Sequence, residues 1–158
     1  MMKVVRLATR ADLLPVVSRW VVEAFAEPGT ASDARVDALR EMFSEKPYPF
    51  SLVAIDDDGV PMGCVHGVES ELDDRPELEP FVAALYVEPR FRGRGVGGEL
   101  LAAAERECGA AGFGEVYLCA WNEPGWYVRR GWRVIAERVG ERGVPLMSKR
   151  VAADRSSR

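Results

Sequence analysis

The spacing of apolar residues changes several times along the chain, and each change marks an element. Met2 to Leu7 reads as a short first strand. Thr9, followed three residues later by Asp12, has the form of a capping box with Asp in the Glu position, and it announces a helix. Leu13, Val17, Trp20, Val21, Ala24 and Phe25 recur at helical spacing and give that helix one apolar face, which Glu27-Pro28-Gly29 ends. Ser32 suits the N-cap of a second helix with an inner face of Val36, Leu39 and Phe43, closed by Pro47 and Pro49.

The period then shortens. Ser51 to Ile55, the turn Asp56-Asp57-Asp58-Gly59 and Val60 to Val68 form an antiparallel hairpin. Glu69 to Pro80 is acidic, carries two prolines and reads as a loop. Phe81 to Val87 is almost wholly apolar, as a buried central strand should be. A helix begins near Gly95 with Val96, Leu100, Leu101, Ala104, Cys108 and Ala111 on one face, and Gly112 stops it. A strand over Glu115 to Ala120, a short helix from about Pro124 to Arg130, and a hairpin of Trp132 to Glu137 with Val144 to Val151 complete the chain. The order β-α-α-β-β-β-α-β-α-β-β, with no repeat and no linker, predicts one α/β domain over residues 1–151. The polar tail, 152–158, is expected to be loose.

One junction carries chemistry. A buried strand runs into Arg92-Gly93-Arg94-Gly95-Val96-Gly97-Gly98, which runs into an amphipathic helix. The first turn of a helix has backbone N–H groups without partners and a partial positive charge, so a phosphate suits it. Glycines let phosphate oxygens approach the backbone, and Arg92 and Arg94 add donors and charge. Gly97 and Gly98 each cost a helix roughly 1 kcal/mol relative to alanine, so a bare backbone has a use there. A Walker A loop would need Lys and Ser or Thr after its last glycine, where Glu99 and Leu100 stand. A dinucleotide fingerprint would need the first β-α unit and an acid ending the next strand, which ends in Ala120-Trp121-Asn122. A pyrophosphate-bearing cofactor of another kind is the better reading.

Bulk properties narrow the partners. A net charge of −4 and the lack of a basic stripe argue against nucleic acid, including an RNA-binding reading of Arg90 to Arg94. Cys64, Cys108 and Cys119 are an odd number without metal-ligand spacing and read as core residues of a reducing compartment, while the single His66 leaves no room for a multi-histidine metal site. No apolar run approaches the ~20 residues that span a membrane, and nothing after Met1 to Arg10 resembles a signal peptide. A cytoplasmic location, no metal and no membrane partner are therefore expected.

The segment Leu85-Tyr86-Val87-Glu88-Pro89-Arg90-Phe91-Arg92-Gly93-Arg94-Gly95-Val96-Gly97 resembles the GNAT superfamily of N-acetyltransferases, including its Arg/Gln-x-x-Gly-x-Gly/Ala signature at Arg92, Gly95 and Gly97. Trp126-Tyr127-Val128-Arg129-Arg130-Gly131-Trp132 is similar to the family's aromatic-Tyr-x-x-x-Gly-aromatic segment, and the closing Val144-Pro145-Leu146-Met147 strand also fits. The resemblance spans essentially the whole chain. It implies a single GNAT-like domain with a mixed, mostly antiparallel sheet flanked by helices, and acetyl transfer from acetyl-CoA to a primary amine of a small molecule, peptide or protein. It also implies residue roles. Backbone groups of Leu85, Tyr86 and Val87 would meet the pantetheine arm, amides from Gly93 to Gly98 would hold the pyrophosphate, and Tyr127 would protonate the departing thiolate. Many members carry an asparagine seven residues before the tyrosine. Here Asn122 stands five before Tyr127 and reads instead as a cap for the short helix.

Direct attack needs a neutral amine, and a lysine-like amine is only about one part in 2,500 neutral at pH 7. A base is needed, and Glu79, at the entry to the buried strand, is the first candidate, ahead of Glu69, Glu71 and His66. The six acids between Glu69 and Glu79 form a solvated loop that would also draw a cationic amine. A noncatalytic acyl-CoA sensor is the alternative function. The edge strands and the C-terminal hairpin leave room for a homodimer.

Overall fold

The computed structural model describes residues 1–25 and 46–154. The second helix expected from Ser32 to Phe43, and the Glu27-Pro28-Gly29 stop before it, lie outside them. Strand β1 (Lys3–Arg6) is followed by two single 3₁₀ turns and helix α1 (Leu14–Phe25). Strands β2 (Phe50–Ile55), β3 (Pro61–Val68) and β4 (Phe81–Val87) lead to helix α2 (Val96–Ala110). Then come β5 (Glu115–Cys119), the short helix α3 (Pro124–Val128), β6 (Arg133–Val139) and β7 (Val144–Arg150). They build one seven-stranded sheet in the order β1-β2-β3-β4-β5-β7-β6. Every pairing is antiparallel except β4 with β5. This is the mixed, mostly antiparallel α/β sheet expected.

Two faces of the sheet are filled by different helices. Val96, Leu100, Leu101, Ala104 and Cys108 of α2 pack with Phe50, Leu52, Met62, Val82, Val116, Leu118 and Met147. On the other side, Leu13, Val17, Trp20 and Val21 pack on Val53, Ile55 and Cys64. Ala24, expected on that inner face, is exposed. The loop between β3 and β4 is anchored by Leu72, which is buried with Phe81 and Leu146 in a third cluster.

The helix ends follow the glycines. Gly112, at φ 101, closes α2. The Phe113 amide reaches back to the Cys108 carbonyl at 3.2 Å, and the Gly112 amide to Gly109 at 3.0 Å. Gly131, at φ 90, does the same for α3, with the Trp132 amide on the Tyr127 carbonyl at 3.1 Å.

Three expectations are corrected. Thr9 does not cap a helix, since its hydroxyl donates to the Arg6 carbonyl at 2.8 Å. The α-helix starts only at Leu14, which puts Pro15 in the first turn, where a missing N–H removes no helical bond. Asn122 does not cap α3, because Glu123 holds the N-cap position and no side chain caps the helix. The first residues of the tail, Ala152 to Asp154, are held against α2. The Asp154 amide donates to the Gly109 carbonyl at 2.7 Å, and the Ala152 carbonyl lies where a side chain on Gly109 would be.

Candidate active site

β4 and β5 are parallel neighbours, yet their register holds at one pair, Phe81 with Tyr117, reinforced by the Tyr117 amide on the Pro80 carbonyl at 3.0 Å. Beyond that point the strands part. The sequence predicts a fully buried central strand, but only Phe81 and Val82 are buried, and Ala83 to Val87 are half-buried. A cleft therefore opens at the carboxyl ends of two parallel strands, where α/β sheets bind ligands. A bulge shapes its β4 wall. His66 pairs with Ala83 and Cys64 with Tyr86, so Val65 faces two residues, and Ala84 takes φ 52. Leu85, Tyr86 and Val87 line the cleft with backbone groups that β5 does not engage.

The glycine turn closes one end of the cleft. Gly93 (φ 78) and Gly95 (φ 82) have left-handed backbones that a side chain would strain, although space around them is open. Gly95 is the N-cap of α2 and offers no side chain to the amides of the first turn, Val96 to Gly98, which are left for an anion. The Arg92 Nε donates to the Val87 carbonyl at 2.8 Å, and its guanidinium lies 5.7 Å from the centre of the Tyr86 ring, tying the turn to the end of β4. The Arg94 guanidinium lies 5.8 Å from the centre of the Phe91 ring. Val96 is buried in the core beneath the turn.

Gly97 and Gly98 face the Trp126–Arg130 segment, with room for ordinary contacts. A Cβ on Gly97 would stand 3.5 Å from the Trp126 ring and 3.7 Å from the Val87 side chain. On Gly98 it would stand 3.4 Å from the Arg130 Nε. Trp126 of α3, and Arg130 two residues past its end, thus lie against the first turn of α2. Trp126 and Arg130 are four residues apart in the sequence. A half-buried network holds this arrangement. Glu105 of α2 accepts from the Trp132 indole at 3.1 Å and from the Lys149 ammonium at 2.7 Å, and Lys149 also donates to the Arg130 carbonyl at 2.8 Å.

Tyr127 sits between aromatic neighbours, edge-on to Trp126 at 5.0 Å and to Trp132 at 6.4 Å. Its hydroxyl makes no hydrogen bond with any described residue, and burial pushes its pKa above the ordinary phenol value, so it holds its proton at neutral pH.

Glu79 lies at the other end of β4. It is exposed, accepts from the Tyr48 hydroxyl at 2.8 Å, and precedes Leu85 by six residues, or roughly 20 Å of strand. With Glu69, Ser70, Leu72, Asp73 and Pro76 it lines a cavity of about 200 Å³. The structure thus brings Trp126, the neighbour of Tyr127, to Gly97 beside Val87, and places Glu79 in a separate acidic hollow. Glu71 is close enough to Cys119, at the end of β5, for its charge to raise the thiol, which burial and that carboxylate together push up to about 11. His66 is buried, its Nε2 has no partner, and burial lowers its pKa to about 4, so it is neutral at pH 7.

A family model described as the acetyltransferase (GNAT) family matches residues 14–131. A GCN5-related N-acetyltransferase from Kribbella flavida superposes with a TM-score of 0.73 at 20% identity, over 95% of this chain and 98% of its own. A GNAT-family acetyltransferase from Staphylococcus aureus Mu50 gives 0.71 at 11% identity, over 95% and 99%. An aminoglycoside 6′-N-acetyltransferase complexed with coenzyme A gives 0.73 at 14% identity, over 96% and 98%. At these identities the likeness is one of fold. No curated protein matches the chain.

Proposed function

From the premise that the chain belongs to the GNAT acetyltransferase family, we propose that it is an acetyl-CoA-dependent N-acetyltransferase acting on a primary amine by direct attack. The observation that carries this reading is the parting of β4 from β5 beside the uncapped first turn of α2, with the unpartnered Tyr127 hydroxyl in the adjoining segment. The residues fit the co-substrate. Amides of Val96 to Gly98 suit a pyrophosphate. The edge of β4 over Leu85 to Val87, which β5 does not pair, suits a pantetheine arm, and the thioester supplies the acetyl group.

Tyr127 is the acid in this scheme. Its reference pKa lies about 1.5 units above that of a thiol, so proton donation to the thiolate is uphill by about 2 kcal/mol before local fields act. Burial raises the phenol further, which widens that gap while keeping the proton in place. The electrostatics of the cleft, with the first turn of α2 at one end, must favour negative charge on sulfur enough to offset it. Glu79 is assigned to the amine side, where the acidic hollow it shares with Glu69 and Asp73 would attract a cationic acceptor. The acceptor is a small molecule or peptide amine.

A noncatalytic acyl-CoA sensor is the second reading, favoured by the packing of Tyr127 between two tryptophans and by the distance of Glu79 from Leu85 to Val87. The test has two stages. CoA should raise the melting temperature, and acetyl-CoA with a panel of primary amines should release thiol. Stabilisation without thiol release for any amine supports the sensor; no stabilisation removes both readings.

A further inference from the structure

Arg130 is placed where a cation needs an anion. Its guanidinium lies flat over Trp126, with Cζ 3.8 Å from the ring centre, and Nη1 donates to the Trp126 carbonyl at 3.1 Å. The rest of the fork turns to Gly98, where a Cβ would meet Nε at 3.4 Å and Nη2 at 3.6 Å. Glu105, which holds this segment in place, is occupied by Lys149 and the Trp132 indole. Among the described residues no carboxylate pairs with Arg130. A cation beside the first turn of a helix opposes the helix dipole, and the arrangement becomes favourable once an anion joins the two.

The placement is also specific. The Trp126 ring and the bond to its carbonyl hold the fork in one orientation, and Lys149 fixes the Arg130 backbone. Arg92 is tied back to Val87, so the two arginines flank the turn with different tasks.

We propose that Arg130 binds a phosphate of the acyl carrier, opposite the amides of the α2 first turn, and so selects phosphorylated donors over a bare pantetheine thioester. The inference rests on the acyl-CoA reading of the cleft and names a residue that reading does not need. It makes the short helix α3, and not the glycine turn alone, part of donor recognition.

The test compares wild type, Arg130→Leu and Arg130→Lys by calorimetry with CoA, dephospho-CoA and pantetheine. Arg130→Leu should weaken CoA by about 10-fold or more, the usual effect of removing a charge-assisted hydrogen bond. Pantetheine affinity and melting temperature should stay at wild-type values, and Arg130→Lys should recover part of the loss. A loss shared by dephospho-CoA assigns the contact to the pyrophosphate; a loss confined to CoA assigns it to the 3′-phosphate. Equal CoA affinity in wild type and Arg130→Leu overturns the proposal, as does an equal loss for pantetheine, which would mean a distorted cleft. Failure of the wild type to bind CoA at all would overturn the acyl-CoA reading and this proposal with it.

Discussion

Gly63 offers a way to move the β4 wall of the cleft without touching any residue that faces it. It pairs with Val87 across β3 and β4. A Cβ built on it would overlap the Tyr86 carbonyl oxygen, and would stand 3.1 Å from the Val87 Cα and 3.2 Å from Leu100 Cδ1. The first two are backbone atoms and cannot rotate away, and Leu100 is fully buried. In Gly63→Ala the end of β4 must therefore shift, toward the cleft that β5 leaves open. Overpacking of this kind costs about 1–3 kcal/mol. Loss of glycine's freedom in the unfolded chain returns about 0.4–1 kcal/mol. The net of about 1–2 kcal/mol should lower the melting temperature by roughly 2–8 °C for a domain of this size.

Activity should suffer more than stability. A shift approaching 1 Å in groups that position a reactant costs on the order of 100-fold in rate. With an amine that supports thiol release, kcat/KM should fall by roughly 10- to 100-fold at a temperature where the variant is folded. Gly67→Ala is the control. Its Cβ would overlap the buried Phe50 ring, and it pairs with Val82, at the end of β4 where β5 is still attached. It should destabilise comparably yet keep kcat/KM within about 3-fold of wild type. If Gly63→Ala loses no more activity than Gly67→Ala, the cleft does not depend on the position of Leu85 to Val87 and the reasoning fails.

Three further outcomes are expected. Tyr127→Phe should lower kcat by roughly 100-fold or more with little change in the KM for acetyl-CoA. Because the lost hydroxyl bonds no described residue, stability should stay within about 0.5 kcal/mol; an unchanged kcat would dismiss the acid role. Glu79→Gln should lower the rate mainly near neutral pH if Glu79 takes the amine proton, and a pH–rate profile like that of wild type would leave it only the hollow. His66 is neutral in the fold with a pKa lowered to about 4 against an unfolded value near 6.5, so the unfolded chain binds the extra proton between those values. Stability from this group is present above pH 6.5 and lost as pH falls toward 4, about 3 kcal/mol in all. Denaturant unfolding of wild type and His66→Gln from pH 7 to pH 4 should show the wild type losing more, and parallel losses would refute the assignment.

The strands and helices were legible because their apolar spacing answers local physics. The run Phe81 to Val87 announced a central strand, and Gly112 and Gly131 announced helix ends that the structure closes with the expected amide-to-carbonyl bonds. The parting of β4 and β5 was not legible. An apolar strand reads the same whether its neighbour stays beside it or turns away, because the difference lies in where β5 goes after Tyr117. Thr9 and Asp12 misled for a related reason: the capping pattern was local and called for a helix from Arg10, whereas the α-helix starts at Leu14, four residues later, with Pro15 in its first turn.

The glycine turn sets one residue type in two kinds of backbone. On sequence alone, all the glycines from Gly93 to Gly98 shared one explanation, a bare backbone for phosphate oxygens. Structure separates them. Gly93 and Gly95 have positive φ and open space, so any L side chain there is opposed by conformation. Gly97 and Gly98 have helical backbones, so alanine would be welcome on propensity, and a Cβ there would only come into ordinary contact with the Trp126 ring at 3.5 Å and the Arg130 Nε at 3.4 Å. The distinction has consequences for substitution. Alanine at Gly93 or Gly95 should disturb the turn itself, whereas alanine at Gly98 should leave the turn intact and press on Arg130 alone. The phosphate site proposed above would be a joint product of two segments distant in sequence, a turn that exposes helix amides and the arginine that follows the short helix α3.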